Sequence, residues 1–251
     1  TYALVALYPY ATQINGEIGG QFEINYMIPR GSPLGGKYGT KLSINSALSN
    51  SIDKSILADG TRGQKGTQGY ISEYFKFGPT IYFRDLNGSI SHKFSKKYKS
   101  QISFFRLKYN KTVLNDGVGD ITLLENPGMD SVISINAIVL ENQFKLSNGQ
   151  TIRNELQWSI ADGFRGDMAM ALIEWTINHD WTLAVQDIYN YGHPTPSRRI
   201  HYPIVSLIHF NGPTRVQMGY GRQQQGVFCV GGVCRVVPPS NGLSISLTTS
   251  L

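Results

Sequence analysis

The 251-residue sequence predicts an all-β fold: an antiparallel transmembrane β-barrel of about twelve strands, either complete or part of a larger barrel. Apolar and polar residues alternate with the period of two that is typical of β-strands. Charged residues make up only 16% of the sequence, below the roughly 25% usual in soluble domains. Short turns alternate with longer connections, as they do in outer-membrane barrels. We expect a single domain over residues 1–251.

Alternation places the strands in order along the chain. Residues 21–28, for example, carry Phe22, Ile24 and Tyr26 on one side and Glu23 and Asn25 on the other. Near nine to eleven residues is the length that a tilted membrane strand needs. The predicted strands are 3–8, 21–28, 40–49, 80–94, 98–110, 131–146, 150–160, two arms of a hairpin in 168–191, 200–210, 213–222 and 243–251.

The connections between these strands are of two kinds. Tight turns are expected at 95–98, Ser147–Gly149, His179–Asp180 and Asn211–Gly212, the last being the strongest hairpin signal in the chain. Longer loops are expected at 50–79, 113–129, 161–167, 192–199 and 223–241. If the final strand ends at the periplasmic side, the long loops face outward. The loops at 50–79 and 223–241 are then candidate surfaces for envelope protein partners.

The final strand carries the pattern of a barrel wall most clearly. Leu243, Ile245, Leu247 and Leu251 lie on one side, and small hydroxyl residues lie on the other. We therefore interpret these four residues as a C-terminal barrel signal, with outer-membrane lipid as the partner of the apolar side.

The side opposite the apolar residues is expected to be wet. Charges on successive inward positions would destabilise a packed core, so we expect a polar, mildly basic lumen that sets ion selectivity or solvates a plugged interior. Trp175 and Trp181 bracket a turn, where an interfacial aromatic girdle would lie. The lumen-facing candidates are Glu23, Lys41, Arg106, Lys108, Arg153, Glu155, Glu174 and Arg215.

Both cysteines lie in one short segment, Cys229–Cys234. A two-residue Gly231–Gly232 turn would set the cysteines opposite each other at a separation that a disulfide can bridge. The alternative is a metal site, for which two thiols supply only half of a zinc ligand set. A disulfide would indicate an oxidising compartment.

Three segments resemble a known family: Arg30–Thr40, Cys229–Pro238 with the residues that follow, and Tyr8–Gln13. The sequence is similar to the C-terminal half of a Bacteroidota outer-membrane β-barrel family of unassigned function. The resemblance implies a barrel fold and a location in the bacterial outer membrane. It implies neither a reaction nor catalytic residues, and it implies that an N-terminal half of the family's length lies outside this sequence.

The sequence contains no phosphate-binding glycine loop, zinc signature or nucleophile elbow. His179–Asp180 is better explained as a polar turn than as half of a catalytic pair. We expect a non-enzymatic protein without cofactor, metal or nucleic-acid partner. Three functional classes remain open: a structural or partner-binding subunit of an envelope complex, a channel or transporter for small polar or anionic solutes, and a secreted soluble β-sandwich adhesin or lectin.

Overall fold

A computed structural model describes residues 2–14, 16–57, 70–163, 165–230 and 233–249. The α-helices are α1 (Lys111–Leu114) and α2 (Asp120–Glu125), and 3₁₀ helices span Val5–Leu7, Pro127–Met129 and Pro196–Arg198. The strands are β1 (Glu17–Ile28), β2 (Thr40–Ile56), β3 (Tyr70–Lys93), β4 (Tyr98–Asn110), β5 (Val132–Lys145), β6 (Thr151–Ala161), β7 (Met168–Thr176), β8 (Trp181–Asn190), β9 (Ile204–Asn211), β10 (Thr214–Gln223), β11 (Gly226–Val230), β12 (Val233–Val237) and β13 (Ser240–Thr249).

Eleven of these strands form one antiparallel sheet. Strands β1 to β10 pair in chain order, β13 pairs with β10, and β11 and β12 form a separate hairpin. The prediction of an all-β antiparallel fold is confirmed. The alternative of a β-sandwich is wrong for the described residues, because the long strands lie in one sheet and not in two packed sheets. Strands β1 and β13 each have one paired neighbour within the described residues, so the sheet is not closed there.

The connections at one end of the sheet are mostly shorter than those at the other, with 29–39 as the exception at the short end. Residues 29–39, 94–97, 146–150, 177–180 and 212–213 connect strands at one end, which we call the turn end. Longer connections, including 111–131, 191–203 and 224–239, lie at the other end, which we call the loop end. The tightest turn, where Gly212 has a φ of 56°, lies one residue later than predicted because Asn211 pairs with Thr214.

Three local predictions are wrong. Residues 3–8 form a 3₁₀ turn, not a strand, because they pack on the sheet instead of pairing with it. The predicted loop at 50–79 is largely strand, since β2 continues to Ile56 and β3 begins at Tyr70; register shifts near Asn50 and Ile52 break the two-residue period there. The predicted loop at 113–129 contains α2 and part of α1.

The register assigns the side chains of the sheet to two faces, because successive residues of a strand point to opposite sides and paired residues point to the same side. One face, which we call the apolar face, carries large apolar side chains that remain exposed on every strand of the sheet. Its members include Phe22, Ile44, Leu86, Phe104, Ile138, Leu156, Trp158, Ile173, Val185, Val205, Met218, Leu243, Ile245 and Leu247.

The opposite side, which we call the inner face, holds the packed core. Residues 2–8 lie against it and bury Leu4 and Leu7. They pack with side chains from several strands, of which Leu107, Ile135, Leu172 and Ile208 are at most 2% exposed. The β11–β12 hairpin joins this cluster through Phe228 and Val237. The sheet therefore buries apolar groups on the inner face while leaving the apolar face uncovered.

Candidate functional site on the inner face

A charged cluster occupies the inner face beside the packed core. Arg153 on β6 lies between the carboxylates of Glu141, Glu155 and Glu174, which come from β5, β6 and β7. Its guanidinium is 2.9 Å from Glu141 Oε2 and 2.5 Å from Glu174 Oε2, and it also contacts Glu155 Oε2. The register forces this meeting, because Glu155 pairs with Glu141 and Arg153 pairs with Glu174.

Two carboxylates of the cluster are buried. Glu155 and Glu174 are 3% and 7% exposed, whereas Arg153 and Glu141 are partly buried; among the described residues, Arg153 contacts all three carboxylates. Gln157 Nε2 donates a further hydrogen bond to Glu155 Oε1. Buried charges of this kind are tolerated only when they are paired and hydrogen-bonded. The arrangement fixes three neighbouring strands to one another on the inner face.

Residues 2–14, which we call the inner segment, are attached to this cluster. The Leu4 N–H donates a 2.9 Å hydrogen bond to Gln157 Oε1, whose amide nitrogen contacts Glu155. The Tyr2 hydroxyl accepts a 3.0 Å hydrogen bond from Gln101 Nε2. Polar contacts therefore hold the segment at the charged cluster, and apolar contacts hold it at the core.

Three tyrosines of the inner segment pack against aromatic rings of β3 and β4. The ring centroids of Tyr2 and Phe105 are 5.6 Å apart, those of Tyr8 and Tyr109 are 5.6 Å apart, and those of Tyr10 and Phe83 are 5.4 Å apart. The first two pairs are edge-to-face, a geometry that stabilises aromatic contacts. These contacts fix the position of the inner segment over β3 and β4.

Burial of these tyrosines disfavours their ionised forms. It raises the pKa of Tyr8 to about 12. It also raises the pKa of Tyr10 to about 12, with a hydrogen bond from the Tyr10 hydroxyl to Glu17 acting in the same direction. The tyrosine hydroxyls of the inner segment are therefore neutral while the segment is packed on the inner face.

The predicted lumen residues lie on both faces. Glu23, Lys41, Arg153, Glu155, Glu174 and Arg215 lie on the inner face. Arg215 is 7% exposed, donates to Gln217 Oε1 at 2.9 Å and has its guanidinium carbon 5.9 Å from the Phe210 ring centroid.

The prediction is wrong for Arg106 and Lys108. They lie on the apolar face, where Arg106 pairs with Leu86 and borders a groove lined by Ile44 and Ile138. The alternation in β4 is real, but its sides are reversed: Leu107 and Tyr109 are buried under the inner segment at 1% and 3% exposure.

The remaining predicted positions lie as follows. Trp175 and Trp181 lie on the apolar face at the turn end and are both 37% exposed; Trp181 stacks on His209. Leu243, Ile245 and Leu247 pair with Tyr220, Met218 and Val216 on the same face. Leu251 lies outside the described residues, as do the side chains of the two cysteines, although the backbone register pairs Cys229 with Cys234. His179 and Asp180 form an exposed contact of 2.9 Å in the 177–180 turn.

Sequence reasoning missed Glu141, Gln157 and the inner segment. The alternation of β5 contained a usable signal for the first: Ile133, Ile135, Ala137 and Val139 share a face, and the next position on that face is Glu141. A charged residue that continues an inward series indicates a polar end of the inner face. No comparable signal distinguishes the inner segment from a short apolar strand.

Within the described part of the chain, no group of three or more histidine, cysteine, aspartate or glutamate residues is placed to hold a metal ion. Among the described residues, no helix has the length and apolar character that crossing a membrane would require.

Comparison with known proteins identifies a family. The model of a family described as "Family of unknown function (DUF6029)" matches residues 1–251. No curated protein matches the sequence.

Among solved structures, the chain is similar to a variant of the ferric enterobactin receptor of Pseudomonas aeruginosa (PfeA) in complex with enterobactin. The sequence identity is 12% and the TM-score is 0.38; the match covers 92% of this chain and 41% of the receptor chain. The chain thus spans less than half the length of that receptor.

Proposed function

The chain belongs to DUF6029, a family of unknown function, and on that premise we propose that it is a non-enzymatic β-barrel protein of the bacterial outer membrane. Its role is that of a structural or partner-binding subunit of an envelope complex. The sequence resemblance points to Bacteroidota as the group of bacteria in which it acts.

One observation carries the proposal: the apolar face continues across all eleven strands of the sheet and is uncovered. Side chains in the middle of this face are extensively exposed, among them Leu156 at 50%, Trp158 at 54% and Ile173 at 55%. Soluble proteins rarely expose apolar patches larger than a few hundred Å². Contact with lipid would make exposure of such a face favourable. In lipid, a closed barrel is the β-structure that pairs all backbone N–H and C=O groups of its strands.

The inner face favours a structural role over transport. The inner segment and the β11–β12 hairpin cover much of this face, and the hydrogen bond from Leu4 to Gln157 ties the segment to the charged cluster. A filled interior leaves less room for a solute path. Transport of small polar or anionic solutes is the second candidate, since the uncovered part of the inner face carries Glu23 and Lys41.

Partner binding is assigned to the loop end. The β11–β12 hairpin is anchored by the buried side chains of Phe228 and Val237. The neighbouring side chain of Val236 is 81% exposed. A hairpin that is anchored on the core and presents an apolar side chain is suited to docking another envelope protein. Of the loop predicted at 50–79, we propose the connection between β2 and β3 as a second partner surface; its residues 58–69 lie outside the described part of the chain.

The proposal is tested on the full-length protein extracted in detergent. A closed barrel migrates faster on a gel before boiling than after boiling, and we expect this shift. A structural subunit should copurify with envelope proteins in mild detergent and give no steady conductance in planar bilayers. Large stepwise conductance would favour the transport candidate, and a protein that is soluble without detergent and shows no gel shift would contradict the barrel.

A further inference from the structure

Three positively charged side chains lie on the apolar face near the loop end of β4. Arg84 on β3 pairs directly with Lys108 on β4, and Arg106 lies two residues from Lys108 on the same side of that strand. Both arginines are exposed and Lys108 is half-buried. We call Arg84, Arg106 and Lys108 the basic triad.

Without a bound anion, the three positive charges of the basic triad destabilise the protein. Like charges directly opposite each other in neighbouring strands destabilise a sheet. A cation on a lipid-facing position adds about 2–4 kcal/mol at the bilayer midplane and about 0–1 kcal/mol near its edges. Lys108 is two residues from the end of β4 at Asn110, or about 7 Å at the usual strand rise. Its ammonium can therefore reach the level of lipid headgroups.

Among the described residues, no carboxylate is paired with these side chains. Asp85, the acidic neighbour in sequence, points to the inner face and accepts a hydrogen bond from Asn87 at 2.9 Å. The compensating negative charge must come from outside the described residues.

A groove beside the triad fits the chemistry of a lipid. It has a volume of about 530 Å³ and is lined by all three cations together with Leu48, Phe77 and Leu86. Asp85 also borders the groove, although the strand register directs its side chain to the inner face. This volume lies within the range of roughly 300–1,000 Å³ that is usual for ligand sites. Cations at one part of the groove and apolar side chains at another match a phosphate group attached to an acyl chain.

We propose that the basic triad binds the phosphate group of an anionic membrane lipid in the leaflet at the loop end. Arginine and lysine are the side chains that bind phosphate in proteins, arginine with two parallel hydrogen bonds. The inference rests on the proposed function, because only a membrane-embedded apolar face meets lipid there. It adds a site and a ligand class that the barrel assignment does not contain.

The test measures lipid retention by native mass spectrometry. Full-length protein is purified in a zwitterionic detergent and exposed to equal amounts of phosphatidylglycerol and phosphatidylcholine, with the gel-shift assay run on the same samples. A basic residue near an anionic lipid surface contributes about 1 kcal/mol, or about five-fold in affinity. We expect retention of phosphatidylglycerol over phosphatidylcholine, and about a 25-fold weaker preference in the Arg84→Gln/Lys108→Gln double variant.

The matched control is the Lys96→Gln/Lys97→Gln double variant, which removes the same charge from the turn end. It should retain the preference, and Arg84→Lys should keep most of it. Inorganic phosphate is added as a competitor to identify the source of the anion. If it displaces phosphatidylglycerol at low millimolar concentration, the site takes phosphate from either source; if it does not, the acyl chain contributes and the ligand is the lipid.

Two results would overturn the proposal, and they are distinguishable. A double variant that shows the gel shift but keeps the wild-type lipid preference contradicts the site alone. A wild-type protein without gel shift contradicts the proposed function, and the lipid site falls with it.

Discussion

At the scale of single residues, Arg153 contacts every carboxylate of the charged cluster. It compensates Glu141, Glu155 and Glu174, and two of these carboxylates are almost fully buried. Removing one partner of a buried pair costs about 3–5 kcal/mol, because the other partner stays buried and unpaired. We expect Arg153→Gln to lower the free energy of unfolding by about 3 kcal/mol in urea titrations of the reconstituted protein.

The control for this prediction is Arg222→Gln, which removes an exposed cation. It should change the free energy of unfolding by less than about 0.5 kcal/mol, as surface substitutions usually do. Equal effects of the two variants would show that the charged cluster does not stabilise the sheet.

A second residue-scale prediction concerns the middle of the apolar face. Leu156→Arg places a cation at a half-exposed position of β6, which would be nearly neutral in a soluble protein but costs about 2–4 kcal/mol in lipid. We expect it to lower the yield of protein refolded into phosphatidylcholine vesicles about ten-fold or more, which corresponds to 1.4 kcal/mol or more at roughly RT ln 10.

Leu34→Arg is the matched control, since Leu34 is 75% exposed in the turn at 29–39. This variant should refold with the wild-type yield. A Leu156→Arg protein that refolds as well as the Leu34→Arg protein would mean that the apolar face does not contact lipid.

At the scale of elements, the inner segment responds to high pH. Burial raises the pKa of Tyr8 to about 12, so the folded protein holds this proton more tightly than the unfolded chain, in which tyrosine titrates near 10. The stabilisation is complete below about pH 10 and is lost as the pH rises toward 12. We expect limited proteolysis near residues 2–14 to begin in this window.

The measurement for this prediction combines absorbance at about 295 nm with protease digestion across the pH range. Tyr8→Phe should reduce the pH dependence of cleavage. Tyr220→Phe, which removes the hydroxyl of a residue that is 71% exposed on the apolar face, should leave it unchanged. Cleavage that is independent of pH between about 9 and 12 would contradict the buried position of Tyr8 on the inner face.

The β11–β12 hairpin carries the prediction for the cysteines. The backbone register sets Cys229 opposite Cys234, as the sequence predicts, and we expect a disulfide between them. Reduction should then add the mass of two hydrogen atoms to the intact protein. Because the bond would close a very short loop, its loss should leave the gel shift unchanged. An unchanged mass on reduction would mean free thiols.

Strand positions could be predicted from the sequence wherever a strand pairs regularly. Residues 98–110 and 131–146 match β4 and β5 within a residue, because their period of two is unbroken. The long β2 and β3 strands could not be predicted in full, since the shifts near Asn50 interrupt that period. It was harder to predict which side of each strand faces inward. In β4 the inward side is the apolar one, and this follows only from the contact of Leu107 with the inner segment.

At the scale of the whole molecule, the sheet combines an uncovered apolar face with an inner face that is partly core and partly charged. The uncovered apolar face is the part that departs from a soluble domain, in which large contiguous apolar patches are rarely exposed to water. The candidate site could be predicted only in part, because Arg153, Glu155 and Glu174 share a face by alternation, whereas their meeting with Glu141 depends on the pairing of three strands.

Contact between the apolar face and lipid can be tested without any substitution. All three tryptophans of the sequence lie on this face: Trp158 toward the loop end, and Trp175 and Trp181 at the turn end. The measurement is tryptophan fluorescence of protein refolded into vesicles whose acyl chains carry bromine, a contact quencher. We expect strong quenching relative to unbrominated vesicles and weak quenching by aqueous acrylamide. Fluorescence that bromine leaves unchanged and acrylamide quenches would contradict this contact.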